Sequence, residues 1–179
     1  MFRNPALDAL MPAWDFRQRH SMDIAAGADA VYAAVRHADL SASASVRLLF
    51  GLRGLPPAAL SLDGMIEYGF NVLMDQPPRD LVLGIVGQLW LPRPVFERLD
   101  AEGFRAFHRP GYVKLVWGFH IEPLGSHLVR LTTETRALPT DGRARLCFLP
   151  YWIGIRPFSG WIRRQLLDRV RRDVTRTVA

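Results

Sequence analysis

The side chains best suited to chemistry are five histidines (His20, His37, His108, His120 and His127), one cysteine (Cys147), and the charged residues Glu134 and Arg136. No two histidines have the His-x-x-x-His spacing that puts both imidazoles on one helix face, and no carboxylate cluster accompanies them, so no metal site is expected. His120 and Glu134 are the candidate catalytic residues, because a histidine and a carboxylate on paired strands can act as a general base and its orienter. His120 has the opposite strand parity from Trp117 and Phe119. It therefore falls on the outer face if the apolar set points inward, where a cross-strand surface pair is the simpler reading. Glu134 and Arg136 stand two apart on one strand and share a face. They form a structural ion pair or, if that face lines a cavity, anchor the polar head of a ligand; parity alone leaves both open.

Other chemistries lack their motifs. The glycines at 51 and 54 and at 84 and 87 are isolated pairs without the glycine-rich, lysine-bearing turn that cradles a nucleotide. Phe158-Ser159-Gly160 lacks the Gly-x-Ser-x-Gly elbow of a serine nucleophile, and Ser159 reads as the start of a helix after Pro157. Cys147 alone gives neither an internal disulfide nor a zinc framework, and a buried thiol in a cytoplasmic protein is expected. No cofactor is implied.

Composition narrows the class further. With 179 residues, 49% of them apolar and 22% charged, the chain suits one sizeable core: a domain over 17–179 after an N-terminal extension over 1–16. The net charge of +6 is concentrated at the C-terminus, where seven arginines between 156 and 176 face only Asp168 and Asp173. Lys114 is the only lysine, so arginine replaces lysine throughout. After Trp161 no aromatic residues interleave with those arginines as a nucleic-acid surface requires, and a solvated helix face is expected instead. Residues 1–15 have no signal-peptide pattern, and no run of some 18 apolar residues predicts a membrane span.

The elements that must position these side chains follow from periodicity. Residues 17–24 alternate as an edge strand, and 25–38 and 43–52 recur at helical spacing. Extended segments are predicted over 64–74, 80–90 and 104–108, bounded by proline and glycine. Over 112–122, Val113, Leu115, Trp117, Phe119 and Ile121 alternate with Lys114, Gly118, His120 and Glu122, the clearest period of two in the chain. Gly125 and Ser126 turn that strand into its partner over 128–137. Asp141 is placed to cap a closing helix, on which Ile162, Leu166, Val170 and Val174 form one stripe. Pro157 is expected to end or kink that helix, because it lacks the amide hydrogen.

Strand, helices, antiparallel strands and a long closing helix make an α+β chain in the element order of the helix-grip fold. In residues 17–176, with the runs Pro110-Gly111-Tyr112, Thr132-Thr133-Glu134-Thr135-Arg136 and Ile155-Arg156-Pro157-Phe158-Ser159-Gly160, the chain resembles an uncharacterised bacterial branch of the START-like (SRPBCC) superfamily of polyketide cyclases and lipid-transfer domains. The resemblance implies a curved antiparallel sheet around the closing helix and a cavity for an apolar small molecule, such as a lipid, isoprenoid or polyketide. The expected ligand-binding set is Trp90, Val113, Leu115, Trp117, Phe119, Glu134, Arg136 and Trp152. The alternatives are an enzyme (cyclase, dehydratase or hydrolase) working in the same cavity, and a module whose basic closing helix touches a partner or a membrane surface.

Overall fold

The structure, a computed structural model, describes residues 4–41, 43, 47 and 61–177. Asn4 opens the first helix, α1 (Pro5–Leu10), by accepting the Leu7 amide at 3.2 Å, with Pro5 supplying a preset φ at the first helical position. Strand β1 (Phe16–Ile24) and helix α2 (Ala28–Arg36) follow as predicted, with Val31, Tyr32 and Val35 buried on one side of the helix. Apart from Ser43 and Arg47, the helix expected over 43–52 lies outside the described residues.

Two segments read as extended begin as helix, and the first of them, expected over 64–74, turns extended only from Asn71. Ser61 caps α3 (Leu62–Tyr68) by accepting the Gly64 amide, and Gly69, at φ 136°, ends it before strand β2 (Asn71–Gln76). Asp100 caps α4 (Ala101–Ala106) through the Gly103 amide at 2.7 Å, so the strand expected over 104–108 does not form. Capping therefore overrides the apolar content of both stretches. The remaining strands are β3 (Asp80–Gly87), the two-residue β4 (Phe96–Glu97), β5 (Val113–Gly125) and β6 (Leu128–Pro139).

The strands form one antiparallel sheet in the order β1-β6-β5-β3-β2, with β4 on β3. Helix α5 (Gly142–Thr177) closes one face of the sheet, which gives the curved-sheet helix-grip arrangement. Asp141 caps it as expected, accepting the amides of Ala144 and Gly111, and these bonds hold its carboxyl below the usual carboxylate range. The helix runs through Pro150 and Pro157 as a single element and does not split at Pro157. Each proline removes one hydrogen bond, while packing on the sheet fixes the helix on both sides of the pair. Phe148 and Trp152 pack on Ile85, Val113 and Ala137, and Leu166, Leu167, Val170 and Val174 pack on the cluster of Leu81, Phe119, Ile121 and Leu131.

The second face of the sheet is also covered. Leu7, Leu10 and Met11 from the N-terminal segment and Phe104 from α4 pack on Val82, Val86 and Val116. Gly118 makes this possible, because a Cβ there would come within 2.8 Å of the Leu7 side chain. A sheet buried on both sides reads as near-continuous apolar sequence, and β3 fits, with every residue from Leu81 to Gly87 buried. Cys147 differs from expectation. It is exposed, on the solvent side of α5.

Candidate functional site

The register of β5 against its neighbours decides which predicted site residues meet. Leu115, Trp117 and Phe119 stand opposite Ile85, Leu83 and Leu81 on β3, and opposite Ala137, Thr135 and Thr133 on β6, all directed toward α5. Between this face and the middle of α5 lies a cavity of about 620 Å³. Trp90, Leu115, Trp117, Phe119 and Trp152 all line it, joined by residues of α3 and by Ile155, Phe158 and Ile162 of α5. Val113 faces the same side but lies beyond the cavity, buried in the cluster around Phe148. The aromatic rings there interlock, with Phe148 5.2 Å from Phe16 and 5.9 Å from Trp152 between centroids.

The cavity lies under the middle of α5, between the cluster that Phe148 and Trp152 make with the sheet and the cluster of Leu166, Leu167, Val170 and Val174. Burial along α5 falls away over 153–158, where Ile153 and Phe158 are exposed, and returns from Gly160. At Gly160 the helix meets β1 closely: a Cβ there would lie 2.3 Å from the Gln18 amide nitrogen, which donates to the Arg156 carbonyl at 3.2 Å.

Polar groups on the cavity wall are few and are oriented by hydrogen bonds. The Trp117 indole donates to Thr133 Oγ1 at 2.7 Å, and its ring is tilted 48° against that of Phe119, 4.9 Å away. Arg163, only 8% exposed, donates Nη1 to the Ser159 carbonyl at 3.1 Å and to the Ser159 hydroxyl, and Nη2 to Thr135 Oγ1. Its guanidinium carbon lies 5.4 Å from the centre of the Trp117 ring. Ser159 thus sits inside α5 and positions an arginine, where the sequence suggested a helix start. Nor is Arg163 part of a solvated face. Nearby on β1, burial together with the charges of Arg163 and Arg164 holds the His20 imidazole below its ordinary value.

Glu134 and Arg136 project from the opposite side of the sheet, away from the cavity. Glu134, 0% exposed, accepts Arg17 Nε and Nη2 at 2.9 Å each and Arg136 Nε at 2.7 Å. Arg136 also donates to Asp8 Oδ1 at 2.7 Å and to the Met11 carbonyl at 3.0 Å, and stacks on Trp14 at 4.1 Å. This buried network ties α1 and the following turn to the sheet, so the pair does not anchor a ligand in the cavity. Nor do His120 and Glu134 meet as base and orienter: Glu134 stands opposite Gly118, and His120 Nδ1 is 2.7 Å from Asp80 Oδ1 on β3. Parity put His120 on the outer face, and the structure puts it there, buried rather than solvated.

Among the described residues no group of histidine, cysteine and carboxylate side chains could hold a metal ion, and no helix is long and apolar enough to cross a membrane.

No family model matches the chain, and no curated protein matches it. Several solved structures are similar to it along most of their length. A conserved protein from Geobacillus kaustophilus is similar over 90% of this chain and 97% of its own, at 10% identity and a TM-score of 0.45. The ZhuI aromatase/cyclase from Streptomyces sp. R1128 is similar over 92% and 96% of the two chains, at 12% identity and a TM-score of 0.34. Norcoclaurine synthase from Thalictrum flavum, a point mutant bound to a transition-state analogue, is similar over 92% and 96%, at 13% identity and a TM-score of 0.33.

Proposed function

We propose that the protein binds an apolar small molecule in the cavity between the sheet and α5. The observation that carries this reading is the cavity itself: about 620 Å³, walled by Trp90, Leu115, Trp117, Phe119, Trp152 and Ile162. That volume falls within the range of small-molecule sites, roughly 300–1,000 Å³, which are mostly apolar with a few placed polar groups. Binding is favoured over catalysis because the described lining residues include no carboxylate, imidazole, thiol or amine to move a proton. The tyrosines Tyr68 and Tyr151 and three hydroxyl side chains are the remaining protic groups there, besides Arg163 and the indoles.

The test is titration with the neutral fluorescent probe N-phenyl-1-naphthylamine. One saturable site is expected in the wild type. Leu115→Trp, which fills the cavity from its floor, is expected to abolish that site while leaving the circular dichroism spectrum unchanged. Binding that is unaffected by this substitution would place the probe elsewhere and refute the reading.

A second reading, contact with an anionic membrane surface, is favoured by the outer side of α5. Leu146, Leu149 and Ile153 are exposed there beside the exposed Arg143, Arg145 and Arg156. Apolar side chains flanked by arginines suit the interfacial zone of a bilayer. Flotation with phosphatidylglycerol vesicles, lost for Ile153→Asp and weakened by salt, is the expected result; equal flotation of wild type and variant would contradict it.

A further inference from the structure

The cavity wall is apolar over most of its extent, and among its described lining residues Arg163 is the one ionised side chain. An arginine is seldom this deeply buried, because moving a charge out of water is costly. Here the guanidinium is set in a fixed pose. Ser159, one helical turn earlier, takes Nη1 on its carbonyl and hydroxyl, Thr135 of β6 takes Nη2, and the guanidinium carbon lies 5.4 Å from the centre of the Trp117 ring. All three of these partners, Ser159, Thr135 and Trp117, line the cavity together with Arg163, so the charge is held where the contents of the cavity are. Burial, and after it the charges of Arg163 and Arg164, hold the His20 imidazole below its ordinary value.

We infer that the molecule bound in this cavity is an apolar acid, with its carboxylate at Arg163 and its apolar body along Trp117, Phe119 and Leu115. The inference rests on the cavity-binding reading above and adds the chemical class of the ligand. Guanidinium matches carboxylate in shape as well as charge, presenting paired N–H donors to paired oxygens. In a site with few competing waters the attraction is less screened than at the surface. A neutral molecule of the same body would gain the apolar contacts but not this bond.

The test is calorimetric titration of the wild type at neutral pH with two probes of matched body, 2-naphthoic acid and 2-naphthylmethanol. A charge-assisted hydrogen bond corresponds to a preference of about tenfold or more for the acid. In Arg163→Met the preference is expected to vanish while the alcohol still binds, and Arg163→Lys is expected to retain part of it. If Arg163→Met does not fold, methyl 2-naphthoate on the wild type serves instead, and is expected to bind as weakly as the alcohol. Equal affinity for acid and alcohol in the wild type, or an acid preference that survives Arg163→Met, would overturn the inference and leave the cavity reading standing. Failure of both probes to bind would overturn the cavity reading and the inference together.

Discussion

Glu134 accepts two guanidinium groups at once in a place with no exposure to water, and Arg136 passes the connection on to Asp8 of α1. Removing one member of a buried ion network strands the others, which costs about 3–5 kcal/mol. Glu134→Ala is therefore expected to lower the unfolding free energy by that order in urea titrations, without changing probe affinity; a loss below about 1 kcal/mol would show that the network matters little. His20 gives a pH-dependent prediction. Its imidazole is held below the ordinary 6.5 in the folded chain, so as the pH falls the unfolded chain takes up the proton first. The contribution of His20 is thus fully present above about pH 6.5 and is lost as the pH falls below it. His20→Gln should flatten the pH dependence of stability between roughly pH 8 and pH 5.5, and an unchanged slope would contradict this. At this scale the sequence was readable where alternation governs: the direction of Leu115, Trp117 and Phe119 follows from their period of two. It was unreadable where partners are remote. Asp80 reaches His120 across 40 positions, and Arg163 is one of seven arginines that look alike until the helix is docked.

Elements with several repeats of their period were legible, and short ones were not. Strands β1, β5 and β6 lie within a few residues of the expected bounds, as does the stripe of Leu166, Val170 and Val174 on α5. Helices α1, α3 and α4 have six or seven residues each, fewer than two full turns, so a spacing of 3.6 hardly repeats. Their signal lay in the caps Asn4, Ser61 and Asp100, each set before a residue whose amide it accepts. Missing α1 and α4 meant missing the cover over the outer face, which is why His120, Glu134 and Arg136 looked like surface groups or cavity groups. The seat of α1 depends on Gly118. Gly118→Val is expected to displace Leu7 and destabilise the fold by about 1–3 kcal/mol, with increased proteolysis within 4–15 as the diagnostic. Protection of that segment equal to the wild type would contradict the close contact.

The whole molecule has two apolar layers on one sheet, and they serve different ends. The outer layer is filled, with α1 and α4 set tightly over Val82, Val86 and Val116. The inner layer is filled at its ends and open at its centre, where α5 passes over the sheet through Pro150 and Pro157. Sequence gave reason to expect a cavity only through resemblance, because alternation specifies which side chains face inward and not whether they meet. The volume depends on how far α5 stands from β5 and β6, a distance set by the packing of Phe148 and Trp152 at one end and Leu166 to Val174 at the other. The central claim, that this space holds an apolar molecule, is tested most directly by native mass spectrometry of freshly purified protein followed by solvent extraction. One apolar adduct per chain, displaced by N-phenyl-1-naphthylamine and absent from Leu115→Trp, is the predicted result. Bare protein that takes up none of this probe at saturating concentration would contradict the claim.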